Sequence, residues 1–225
     1  MTKIKITRED FTIPRTPSDL AAYVRETYNY IYQDRNLKYD ARLRKAPFKT
    51  FLEELMPFSR YCIWKYGARD DVLCALVQGT PGQGTPGHDA IVIDRETGSE
   101  HEFVEITFPI DGQELHEEGR QLNERGITNF KGSGVNDISR QQSAIDRTLR
   151  IAKKKILRNY RDYRLPGGSS LIILFDHLEF WDSIPKHAEL LRSLQRELSL
   201  LNFQADDVFL MFTGDIKVIV PVAFK

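Results

Sequence analysis

Two strand-like segments joined by a short turn constrain the fold of this chain more than any other feature. Residues 89–94 and 101–108 are rich in β-branched and aromatic residues, and the RETG between them has the composition of a turn. Because side chains alternate along a strand, Glu105 shares one face with Phe103 and Thr107. A buried carboxylate without a partner is costly, so Glu105 predicts a nearby cation, a metal or a set of hydrogen-bond donors.

A second acid, Asp89, stands at the start of the first of these segments. If the two strands pair as a hairpin, we expect Asp89 to lie near Glu105. Two neighbouring carboxylates repel each other, and a divalent cation such as Mg²⁺, which takes few carboxylates and keeps several waters, removes that repulsion. The residues alone leave two alternatives open: Glu105 pairs with an arginine of a packed helix, or its face is exposed to solvent.

The rest of the chain alternates between helical and strand patterns. The order of helix, three strands, helix, strand, then a further helix and two strands predicts an α/β fold, with helices packed on a central mixed sheet. Helices are predicted from a cap at residues 16–19 to 33, from 47 to 66 with an interruption at Pro57, around 115–122, and over 139–163 and 185–201. Strands are predicted over residues 72–78, 89–94, 101–108, 170–176, 208–213 and 217–224, with Pro221 marking an edge strand. Residues 35–46 read as a connection or a frayed helix.

Composition and charge exclude several classes of protein. The 225 residues carry 32 basic and 32 acidic side chains, and no segment approaches the roughly 20 apolar residues of a membrane span. The charged N-terminus does not resemble a signal peptide, and Cys62 and Cys74 suit buried thiols, so we expect a cytoplasmic protein. Two basic stretches, residues 35–49 and 140–164, suit either solvated helix faces or contact with phosphates.

Three familiar motifs are absent. The glycine-rich GTPGQGTPG has no lysine after it and precedes a strand, so it predicts a loop of turns and not a phosphate-binding loop. The five histidines form no HxH or HxxxH pair, and no cysteine stands near them at ligand spacing. No GxSxG sequence supports a serine nucleophile.

The element order and the two acids together resemble the PD-(D/E)xK nuclease superfamily, over roughly residues 47–177. This resemblance implies a restriction-endonuclease-like mixed sheet with an αβββαβ core, followed by an extra C-terminal helix and strands. It also implies that residues 1–46 form a helical extension packed on a single nuclease-like domain, residues 47–225. Two positions depart from the family pattern: His88 replaces the proline before the first acid, and Thr107 replaces the lysine two residues after the second.

The resemblance assigns roles to individual residues. It implies that Asp89 and Glu105 hold Mg²⁺ or Mn²⁺, that Thr107 occupies the catalytic lysine position, and that Gln142, early in the long helix, orients water or a ligand. The accessory candidates are Glu54 in the preceding helix, His88 beside Asp89, and Lys131 in the loop before the long helix, as a lysine displaced from its usual position. The candidates for contact with the nucleic-acid backbone are Arg147, Arg150 and Lys154.

The function expected from this resemblance is metal-dependent hydrolysis of phosphodiesters in nucleic acid, DNA rather than RNA, without a membrane partner. The alternative is an inactive descendant of the same fold that serves as a binding or assembly module, which Thr107 and the zero net charge favour. A third reading is an unrelated α/β domain whose strand acids are only ion-paired. The oligomeric state stays open, a homodimer included.

Overall fold

The computed structural model contains two compact units. The first comprises Met1–Ser99 and Ile110–Phe130, and the second Glu100–Pro109 and Lys131–Lys225. The structure describes residues 6–77, 88–108, 112–126, 138–156, 168–175, 185–212 and 219–224. The extension predicted for residues 1–46 belongs wholly to the first unit.

Side-chain caps start the first three helices of the first unit, which are α1 (Arg8–Phe11), α2 (Pro17–Gln33) and α3 (Arg35–Arg42). Thr16 caps α2 by accepting a hydrogen bond from the backbone N–H of Asp19, which confirms the predicted start of this helix. Asp34 caps α3 by accepting from the N–H groups of Asn36 and Leu37. The predicted connection at residues 35–46 therefore contains a capped helix.

The next helical region changes its winding partway along. It runs through α4 (Phe48–Thr50), a π-helical turn (Phe51–Leu55) and α5 (Met56–Tyr66). Pro57 does not interrupt it, contrary to the prediction. Pro57 has no N–H to donate to the preceding turn, and it closely follows the π-helical turn, where the regular α-helical hydrogen-bond pattern is already replaced.

Two antiparallel strands complete the sheet portion of the first unit. β1 (Val72–Leu76) pairs with β2 (Ala90–Asp94), with Cys74 opposite Val92. The side chain of Asp94 accepts hydrogen bonds from the N–H groups of Glu96 and Thr97 and so fixes the turn that was predicted after β2. Cys62 and Cys74 are both buried, as expected.

A close approach of two helices also belongs to the first unit. α6 (Gly112–Arg125) packs against α3, and it extends the short helix predicted around residues 115–122. A Cβ atom on Gly119 would lie 2.1 Å from the carbonyl oxygen of Arg42. Only glycine fits at this contact, which two hydrogen bonds from the Arg42 guanidinium, to Leu122 O and Asn123 Oδ1, also hold.

The second unit is built on a mixed four-stranded arrangement. β3 (Glu100–Thr107) runs parallel to β4 (Ser169–Phe175), β4 runs parallel to β5 (Asp207–Phe212), and β5 pairs antiparallel with β6 (Ile219–Phe224). Every residue of β4 is buried, as expected for a central strand of a parallel sheet. Pro221 is exposed on β6, which pairs only with β5 among the described residues and is thus an edge strand, as predicted.

Two helices cover this sheet. α7 (Ile138–Ile156) packs on β4, and α8 (Pro185–Ser199) packs on β6 and on α7. The chain is thus α/β with six strands of mixed direction flanked by helices.

Some predicted segments lie outside the described residues. They are the GTPGQGTPG loop, residues 157–163 of the predicted long helix, and residues 176 and 213 of two predicted strands. No helix among those the structure describes is both long and apolar enough to cross a membrane.

Candidate functional site

The first unit brings two of the candidate carboxylates together. Glu54 lies in the π-helical turn Phe51–Leu55, where Phe51 and Leu55 point into the core, and its side chain is half-buried. Asp89 is half-buried one residue before β2. π-helical turns are rare and occur often at functional sites, because the extra residue redirects the side chains around it.

Asp89 is near enough to Glu54 to affect its titration. Burial first, and then the negative charge of Asp89, raise the pKa of Glu54 from 4.5 to about 7, while Arg8 in α1 opposes the rise. The carboxyl of Glu54 resists ionisation mainly because it is partly removed from water, and the charge of Asp89 adds to this effect. A proton or a cation relieves that repulsion, so the chemistry of the donor pair fits a divalent metal ion.

The neighbouring Glu53 has a different environment. Its Oε1 lies 3.8 Å from Nε of Arg44, and burial raises its pKa while Arg44 and Lys49 lower it. Glu53 therefore forms an ion pair with Arg44, whereas the charge that adds most to the pKa shift of Glu54 is that of Asp89.

Glu105 is buried in the second unit, with only 3% of its surface exposed. It lies in β3 opposite Leu171 of β4, and Phe103 on the same face is fully buried. The alternative of a solvent-exposed face is therefore wrong. Thr107, two residues further along, is half-buried opposite Ile173. Its side chain carries no charge.

A third strand acid escaped the sequence analysis. Glu102 is 1% exposed and accepts a short hydrogen bond from the hydroxyl of Ser170, on the face of β3 opposite to Glu105. The signal was present, since alternation places Glu102 on the same face as Val104 and Ile106. A buried acid among apolar side chains needs a hydrogen-bond donor or a cation, as Glu105 does. For Glu102, the hydroxyl of Ser170 in the neighbouring strand is one such donor.

Gln142 lies near the start of α7, which begins within one residue of the prediction. Its side chain is exposed, and its amide donates a hydrogen bond of 3.0 Å to Asp146 one turn later. The described buried residues of the helix include Ile145, Thr148 and Ala152, so Gln142 is not part of its buried face. The role of Gln142 in orienting water stays a prediction.

The remaining candidates are distributed over both units. His88 is half-buried directly before Asp89 in the first unit. In the second unit, Arg147 is half-buried, and Arg150 and Lys154 are exposed on α7, where they are accessible to phosphates. Lys131 lies outside the described residues. Within the described part of the chain, no group of three or more histidine, cysteine or acidic side chains has the arrangement of a metal site.

Comparison of the chain with protein-family models, with curated proteins and with solved structures gave no match.

Proposed function

We propose that this protein is a metal-dependent, nuclease-like hydrolase that acts on phosphodiester bonds of nucleic acid. The observation that supports the proposal is the pair Glu54 and Asp89 in the first unit: both are half-buried, and the charge of Asp89 contributes to the raised pKa of Glu54. The resemblance of the sequence to the PD-(D/E)xK superfamily supplies the reaction type.

The candidate residues would have different roles in this reaction. Asp89 and Glu54 would hold Mg²⁺ or Mn²⁺ in the first unit, and the resemblance also assigns a ligand role to Glu105. A bound ion would polarise the phosphate and lower the pKa of the attacking water. Arg150 and Lys154 contact the phosphate backbone without reading sequence.

The test is cleavage of single- and double-stranded DNA and RNA with Mg²⁺ or Mn²⁺, comparing the wild type with Glu54→Gln, Asp89→Asn and Glu105→Gln. We expect each substitution to lower cleavage at least about 100-fold, the scale on which one electrostatic catalytic group acts. Glu53→Gln is the matched control, since Arg44 already holds that carboxylate. Cleavage that survives all three substitutions would contradict the assignment of the site.

A second function, nucleic-acid binding or assembly without catalysis, is favoured by the neutral Thr107. Thr107→Lys separates the two. If the fold retains a working metal site, the new ammonium at the end of β3 raises cleavage by about 10- to 100-fold. The non-catalytic function is supported if Thr107→Lys remains inactive and calorimetry detects no binding of Mn²⁺ to the wild type.

A further inference from the structure

The helices of the N-terminal region carry an aromatic and basic surface that the candidate site does not use. Tyr28 and Tyr32 are one turn apart on α2, and their rings stack with centroids 4.3 Å apart. The Nζ of Lys38, on α3, lies 5.8 Å from the centre of the Tyr32 ring. Burial raises the pKa of the Tyr32 hydroxyl and Tyr28 adds to that rise, while Arg44 is close enough to oppose it. We name these four residues the tyrosine–arginine surface.

Two tyrosine rings of this region are exposed to solvent, and basic side chains surround them. Tyr28 is 37% exposed, and a second tyrosine on α3, Tyr39, is 46% exposed with the Nζ of Lys45 5.6 Å from its ring. Residues 35–49 contain six basic side chains and a single acid, Asp40, which the Nζ of Lys45 binds at 2.8 Å. The chain as a whole is neutral, so this concentration of charge is local.

Exposed aromatic faces beside cations are the means by which proteins bind unpaired nucleotides. Each base presents a flat face that stacks on an aromatic ring, and the cations follow the phosphates. A duplex offers its phosphates but keeps its bases stacked inside. We propose that the tyrosine–arginine surface binds single-stranded nucleic acid.

The position of this surface connects it with the candidate site inside the first unit. The Nε of Arg44 lies 3.8 Å from the carboxylate of Glu53, the residue next to Glu54. Arg44 thus links the tyrosine–arginine surface to the π-helical turn that carries Glu54, and we infer that a strand bound on Tyr28 passes beside the candidate site as its substrate. That role as a substrate surface rests on the proposed function, whereas the binding itself does not.

The experiment measures binding without cleavage. The full-length protein is titrated, in EDTA, against fluorescein-labelled single-stranded DNA, single-stranded RNA and duplex DNA of mixed sequence, with anisotropy as the readout. We expect tighter binding to single strands than to duplex. Tyr28→Ala weakens single-strand binding about 5- to 150-fold, the loss of one stacked base, and Tyr28→Phe keeps it because the ring remains. EDTA separates a failure of binding from a failure of the metal-dependent reaction.

Two further variants guard against a trivial loss of fold. Lys38→Gln keeps both tyrosines. In a plot of the logarithm of the binding constant against the logarithm of the salt concentration, it should make the slope about 0.7 less steep, which is the value for one phosphate contact on a single strand. Arg196→Gln, at an exposed cation of α8, is the matched control and leaves binding unchanged. The proposal is overturned if folded Tyr28→Ala binds like the wild type, or if duplex binds as tightly as single strands. It is also overturned if the protein binds no nucleic acid and forms a dimer that Tyr28→Ala dissociates.

Discussion

The substitution Glu54→Gln is expected to stabilise the protein at alkaline pH and to leave its stability unchanged at acidic pH. In the unfolded chain the carboxyl titrates near 4.5, and in the folded protein its pKa is about 7. The folded state therefore holds the proton more tightly. Below pH 4.5 Glu54 is protonated in both the folded and the unfolded state, so it does not lower the free energy of unfolding. As pH rises from 4.5 through 7 the unfolded state ionises first, so the stability falls, and above 7 the full penalty is present.

The size of the effect follows from the shift of the pKa. One pKa unit corresponds to about 1.4 kcal/mol, so the full shift would amount to about 3 kcal/mol. Because Glu54 is only half-buried, solvent screening reduces this, and we expect a penalty of about 1–2 kcal/mol. Glutamine has the shape of the protonated acid and carries no charge, so it removes the penalty.

Urea unfolding followed by circular dichroism, at pH 5 and pH 8 without divalent ions, measures this difference. At pH 8 Glu54→Gln should exceed the wild type in unfolding free energy by about 1–2 kcal/mol, and at pH 5 by about half of that or less. Asp89→Asn removes one cause of the shift and should weaken the pH dependence of the wild type. Glu53→Gln should stabilise less than Glu54→Gln at pH 8, because Arg44 and Lys49 oppose the rise of the Glu53 pKa. The reasoning is refuted if Glu54→Gln and the wild type differ by the same amount at both pH values.

Three further substitutions test the packing and the site. Gly119→Ala should destabilise by about 1–3 kcal/mol in urea unfolding, because its Cβ would overlap the carbonyl oxygen of Arg42; an unchanged midpoint would contradict the close approach of α3 and α6. Glu102→Ala should cost about 1–3 kcal/mol by leaving the Ser170 hydroxyl buried without its acceptor, and an unaffected stability would show that water replaces the carboxylate. Gln142→Ala should change the free energy of unfolding by less than about 0.5 kcal/mol, as expected for an exposed side chain. A loss of cleavage in this variant would therefore indicate a role of Gln142 in the reaction, and an unchanged rate would exclude that role.

The parts of the fold that local chemistry determines could be predicted from the sequence. The cap at Thr16, the turn after β2 and the apolar run of β4 depend on residues close together in the chain, and the structure has each of them. The π-helical turn before Pro57 and the approach of Gly119 to Arg42 depend on packing between distant segments, and no local pattern indicated either.

The same division applies to the candidate site. Asp89 and Glu105 stood out because an acid in a strand is costly, and Glu105 is buried as that argument requires. The pairing of Glu54 with Asp89 depends on how a helix and a strand meet, so the sequence offered Glu54 only as an accessory residue.

The π-helical turn at Phe51–Leu55 has a consequence for how this chain tolerates changes of length. A π turn contains one residue more than an α-helix needs to cover the same path, so it behaves as a single-residue insertion that the helix has absorbed. Deleting one residue there would remove the π turn and leave Pro57 inside an α-helix, which proline kinks. Everything on the N-terminal side would then rotate by about 100° relative to α5, since each residue of an α-helix turns by that angle. Relatives of this protein that lack the extra residue would present a different side chain to Asp89, and a one-residue gap in a sequence alignment would mark them.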